Sequence, residues 1–128
     1  MPDDKNDITV FYNSACPVCD AGISSQKERM AGCAVNWKDV HTDTEARGAI
    51  DAPLEFVRER LHAVDQQGKV LVGVDAAILI WRNSPGENWK ARLASLPLVY
   101  PLLRTAYNMF ARLLYRWNLR KGHWQPPA

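Results

Sequence analysis

The sequence predicts one α/β domain: a four-stranded mixed sheet made of a βαβ unit and a β-hairpin, flanked by helices and extended by a C-terminal helical segment. Three observations carry this reading. A β-branched and aromatic run, a proline-free helical stretch and a second alternating run follow one another between Ile8 and Lys38. Two short apolar runs then flank Gln66-Gln67-Gly68. From Trp89 onward the chain is helical in pattern apart from Pro97 and Pro101. A chain of 128 residues buries about two-thirds of its unfolded surface, enough for a core without disulfides or metals.

The elements follow in order. Met1 to Asp7 reads as a flexible leader, residues 8–118 as the single domain including its C-terminal helices, and 119–128 as a tail, with Gln125 to Ala128 fraying. Ile8-Thr9-Val10-Phe11-Tyr12 has no polar alternation, as expected of a strand covered on both faces. Asn13-Ser14 ends it, and a helix through Asp20 to Ala31 follows, with Ile23, Lys27 and Met30 at helical spacing and Gly32 closing it. Ala34 to Lys38 alternates like a second strand, parallel to the first. Pro53 opens a helix to Arg60 that turns Leu54, Phe56 and Val57 inward. Leu61 to Asp65 and Lys69 to Gly73 form the hairpin. Asp75 is placed to cap a helix through Trp81 that ends by Asn83-Ser84-Pro85-Gly86.

Pro97 and Pro101 should divide the remainder into a short and a longer helix. On the longer one Leu102, Ala106, Met109 or Phe110, Leu113 and Trp117 make an apolar stripe, read as the face that covers the sheet. Arg104, Arg112, Arg116 and Arg120 recur at multiples of four on another face. Two arginines and two prolines interrupt the apolar residues, which excludes a membrane span of roughly 18 unbroken apolar positions. An alternative lays this basic helix on an anionic membrane surface, a peripheral contact that is not favoured.

Charge is unevenly spread. Met1 to Trp81 carries a net −5 and Arg82 to Ala128 a net +7, for a total of +2. The total is too near neutrality to argue for nucleic acid, and the asymmetry is read as two halves attracted across the fold. Three cysteines and no charged-then-apolar leader point to a reducing, cytoplasmic setting.

The sharpest motif is Cys16-Pro17-Val18-Cys19, placed where a buried strand gives way to a helix. Thiols three positions apart on a first helical turn can close a disulfide with little backbone movement. Unpaired N–H groups and the positive end of the macrodipole favour a thiolate at Cys16, which makes Cys16 the nucleophile. Pro17 suits the first helical residue because its missing N–H would have been unpaired there. Cys19, one turn deeper and less exposed, is then the resolving thiol. Asp39, at the end of the second strand, is the candidate proton acceptor near Cys19, and Asp20 stabilises the helix start. A competing reading makes Cys16, Cys19, Cys33 and His41 the ligands of a structural zinc in a non-catalytic module that meets its partner through the basic helix. Otherwise Cys33 is a buried small residue, and His41, His62 and His123 have structural rather than catalytic roles.

The run Val10-Phe11-Tyr12-Asn13-Ser14-Ala15-Cys16-Pro17-Val18-Cys19 before a helix resembles the start of the DCC family of thiol-disulfide oxidoreductases. Arg60 to Asp65 with Gly68, then Val72-Gly73-Val74-Asp75-Ala76, resemble that family's hairpin and the helix after it, and the basic, aromatic stretch Tyr107 to Trp117 is similar too. The resemblance runs from Ile8 to about Trp117. It implies a thioredoxin-like fold with Cys16 and Cys19 as the redox pair; taken with the dithiol turn itself, the expected activity is exchange with a protein or low-molecular-weight disulfide, with no cofactor or metal. The chain has Asn13-Ser14 where the family commonly reads Asp-Gly. It has Glu59 and Arg60 where thioredoxins proper place a cis-proline, so substrate binding should differ from theirs.

Overall fold

Ile8, Val10 and Tyr12 of the first strand are buried in one core and Phe11 in another, so strand β1 (Ile8–Tyr12) is covered on both faces as its unbroken apolar sequence requires. A computed structural model describes residues 8–33, 35–43 and 53–124; the leader, Ala34, residues 44–52 and the last four residues lie outside it. After β1 come α1 (Pro17–Arg29), β2 (Val35–Asp39), α2 (Leu54–Glu59), β3 (His62–Val64), β4 (Val70–Val72), α3 (Val74–Arg82), α4 (Asn88–Ala94) and α5 (Val99–Lys121). The sheet order is β2-β1-β3-β4. β1 pairs parallel with β2, placing Tyr12 beside Asp39, and antiparallel with β3, which pairs antiparallel with β4. This mixed sheet with helices against it is the predicted architecture, consistent with a thioredoxin-like fold.

Ile23 and Met30 from the α1 region and Ala76, Leu79 and Ile80 from α3 close one core over β1 and β3. On the other face Phe11 meets Val40 and Val57, with Leu54 beside them. Fully burying a side chain such as Ile8 contributes about 1.5–3 kcal/mol. His62, in the interior strand β3, is buried as a structural residue: Nδ1 donates to the Arg60 carbonyl at 2.9 Å and the ring meets Phe56 edge-on. Phe56 itself is exposed rather than inward, because in a six-residue helix Val57 takes the core position.

Four expectations about the helices need correction. Helix α1 ends at Met30, whose N–H bonds the Gln26 carbonyl, and Gly32 lies in the turn beyond. Asp75 is not a cap. Gly73 occupies that position, at φ +68 and with a Cβ site only 3.1 Å from the Tyr107 ring, so the chain turns where only glycine fits. Asp75 instead accepts the Tyr100 hydroxyl at 2.7 Å and ties α3 to α5. Pro101 does not break a helix; it sits in the first turn of α5, where its absent N–H has no intrahelical partner to lose.

The fourth correction concerns the apolar stripe of α5, which does not cover the sheet. Leu102, Ala106, Met109, Phe110, Leu113 and Trp117 are all exposed. The helix is rotated so that Ala111 and Asn118 face inward, and three tyrosine hydroxyls hold that rotation. Tyr100 bonds Asp75, Tyr107 accepts from the Leu61 N–H at 2.8 Å, and Tyr115 donates to Glu55 at 2.6 Å. Trp124, beyond the helix, is buried and donates to the same Glu55 carboxylate.

Candidate active site

The turn from β1 into α1 is assembled by short polar residues. Asn13 is buried; its side-chain oxygen accepts the Ala15 N–H at 3.1 Å and its carbonyl accepts the Cys16 N–H at 3.2 Å. Ser14 donates its N–H to Asp39 at 3.1 Å, so the end of β2 pins the turn that leaves β1. Cys16 is then the N-cap residue, in extended conformation, with Pro17 as the first helical residue. Its sulfur accepts the Cys19 N–H at 3.3 Å, one of the donors that the first turn of a helix leaves unpaired.

These contacts separate the two thiols electrically. The Cys16 thiol falls from an ordinary 9.0 to about 6, first because the Cys19 thiol donates to its sulfur. Burial opposes the shift, while the N–H groups of Cys19 and Val18 and the side-chain amide of Asn118 add to it. Cys19 moves the other way: its proton is held by that hydrogen bond to Cys16, and burial and the nearby negative charge push it up further. Both are free thiols, as is Cys33.

The relative exposure of the pair is the reverse of the sequence expectation. Cys16 is 0% exposed and Cys19 is half-buried. What encloses Cys16 includes Asn118, on the inward face of α5 and itself buried. The Asn118 amide nitrogen donates to the Leu114 carbonyl at 3.0 Å, and its oxygen accepts from His123 Nδ1 at 2.6 Å. His123 is in turn packed against Trp117. Nothing in the sequence singles out Asn118, because it lies opposite the most apolar face of α5 and is buried only through the rotation of that helix. Removing its hydrogen bond in Asn118→Ala should raise the Cys16 pKa, moving the pH profile of exchange toward alkaline values. A lower rate at every pH with an unmoved profile would assign Asn118 to packing alone.

A cavity of about 280 Å³ opens beside Cys19, walled by Val18, Ile23, Trp81, Tyr107, Phe110 and Leu114 among others. Asn13 and Arg58 also line it, and Asn13 Nδ2 and Arg58 Nε are buried without a hydrogen-bond partner among the described residues. Glu59 and Arg60 border the same cavity, and no peptide bond among the described residues is cis.

The remaining candidates serve the turn or the core. Both Asp39 oxygens are engaged, Oδ1 by the N–H groups of Ser14 and His41 and Oδ2 by the Thr42 hydroxyl. Burial works against its charge, but these donors prevail and hold it below the ordinary carboxylate value, so it shapes the turn and is a weak proton acceptor. Cys33 packs against the core beside α1. Among the described residues no three His, Cys, Asp or Glu side chains come together as metal ligands, so Cys33 and His41 do not complete a zinc site with the dithiol.

A family model for DCC1-like thiol-disulfide oxidoreductase matches residues 10–120. No curated protein and no solved structure matches the chain.

Proposed function

From the chain's membership of the DCC1-like thiol-disulfide oxidoreductase family, we propose that Cys16 and Cys19 reduce a protein or low-molecular-weight disulfide. The observation that carries the reading is Cys16 at the N-cap of α1, its pKa near 6 and its sulfur bonded by Cys19. The Cys16 thiolate attacks one substrate sulfur, the substrate S–S bond breaks, and the first substrate thiolate leaves. With Cys16 now in a mixed disulfide, the negative charge and acceptor that held the Cys19 proton are gone. Cys19 then gives up its proton to the departed first substrate thiolate or to solvent, attacks the Cys16 sulfur and expels the second substrate thiolate. The substrate gains two electrons and the dithiol closes to a disulfide.

Three features support substrate capture at this place. Asn118 is the side chain that must move aside for a substrate sulfur to reach Cys16, the apolar cavity beside Cys19 takes the substrate body, and Asn13 and Arg58 on its wall each hold an unpaired buried N–H for a carbonyl or carboxylate oxygen that enters. Pro17 and Ser14 hold the turn rather than touching substrate. A dithiol that acts as a reductant belongs in a reducing compartment such as the cytoplasm. The test is Cys19→Ser incubated with glutathione disulfide. A stable adduct of one glutathione on Cys16, seen by mass spectrometry, is expected; turnover equal to that of the unaltered protein would overturn the two-thiol mechanism.

A further inference from the structure

We propose that α5 lies flat on an anionic lipid bilayer, inserting its outward apolar face among the acyl chains while its arginines and terminal lysine meet the headgroups. The face is the one that the core leaves uncovered. Leu98 is 85% exposed, Leu102 73%, Met109 62% and Leu113 63%, with Trp117 beside them. Leu98, Leu102, Met109, Leu113 and Trp117 follow one another at intervals of three or four residues or a whole number of turns, so they form one stripe. It lies opposite the inward line of Ala111 and Asn118. A contiguous apolar stripe of this length is unusual on a monomer's surface and marks an interaction face.

Charge selects the occupant. Between Asn88 and Trp124 there are seven basic residues and no acidic one. Arg112 and Arg116 flank the stripe, and Arg120 and Lys121 close its C-terminal end with Trp117 at its border. A second copy docked through this face would bring two such basic segments together with no carboxylate from either helix between them. A bilayer rich in anionic lipid offers both the apolar depth and the negative headgroups. The 23 residues of α5 extend about 34 Å along the surface. None of the described helices is long and apolar enough to cross a membrane, so the contact is peripheral.

The test is co-sedimentation of the full chain with vesicles of phosphatidylserine and phosphatidylcholine, against vesicles of phosphatidylcholine alone. Binding to the anionic vesicles is expected, falling as salt is raised and with little binding to the neutral ones. Arg112→Glu with Arg116→Glu should weaken it at least about tenfold, and Leu102→Asp with Leu113→Asp should abolish it. All four side chains are solvent-exposed, so circular dichroism and disulfide reduction in solution should be unchanged in both variants. The idea is overturned by failure to bind anionic vesicles, by binding that the variants leave intact, or by a dimer in sedimentation equilibrium that Leu102→Asp with Leu113→Asp dissociates while vesicles stay unbound. Disulfide reduction in solution is read separately, so this outcome and that of the oxidoreductase assignment are independent.

Discussion

Cys16→Ser is expected to lower disulfide reduction by a factor on the order of 10³ or more, with the fold intact. The hydrogen bonds that bring the Cys16 thiol to about 6 have a far weaker nucleophile to act on in a serine hydroxyl. The loss should also be qualitative. Cys19 would remain as a single thiol, able to form an adduct but unable to release it by closing on a neighbour. Its own acidity should move back toward the ordinary thiol range, since the largest cause of its upward shift is the hydrogen bond to Cys16. Reduction of glutathione disulfide followed across pH checks both points. The unaltered protein should gain activity as pH rises through about 6, and the variant should show only a slow reaction that increases at alkaline pH.

Glu87→Ala is expected to destabilise the protein by about 3 kcal/mol, or about 10 °C in Tm. Glu87 is buried and accepts the Ser84 hydroxyl at 2.6 Å, the Gln26 amide at 2.7 Å and the Lys90 ammonium at 2.6 Å. Truncation would leave these donors facing a gap between α1 and the connection from α3 to α4. Burial alone would raise the Glu87 pKa, but the hydrogen bonds from Lys90, Ser84 and Gln26 and the charge of Lys90 lower it to about 2. A carboxyl whose folded pKa lies below its unfolded value stabilises the fold above the unfolded pKa. That stability is lost as pH falls from about 4.5 toward 2. Urea unfolding at pH 7 and pH 3 checks this: the difference between Glu87→Ala and the unaltered chain should be large at the first and smaller at the second. Because Gln26 belongs to α1, the same change loosens the helix that carries the dithiol.

The parts of this account that were legible in the sequence are those fixed by neighbouring residues. The unbroken apolar run of β1 has to be covered on both faces, Gly68 permits the hairpin turn with φ +85, and Pro17 at the first helical position makes Cys16 the N-cap. What depended on how a long helix is turned about its axis was not legible. The stripe from Leu102 to Trp117 is the most apolar face of α5, and apolarity alone assigns it to the core. The tyrosine hydroxyls of Tyr100, Tyr107 and Tyr115 decide otherwise, because they find partners in Asp75 of α3, the Leu61 N–H ahead of β3 and Glu55 of α2. The same rotation brings Asn118 against Cys16 and reverses the expected exposure of the two thiols. Asp39 was correctly placed at the end of β2, but register with Tyr12 directs its carboxylate to the Ser14 and His41 backbone. Periodicity can locate such a residue without naming its partner.

The ultraviolet absorbance of the thiolate, titrated in the fully reduced protein and repeated in Cys16→Ser, bears most directly on the chemistry because it requires no reagent to reach the enclosed sulfur. One thiolate forming with a midpoint near pH 6, and missing from the variant, is the predicted result. A first midpoint at the ordinary thiol value of 9.0, or one near 6 that survives in Cys16→Ser, would contradict the account.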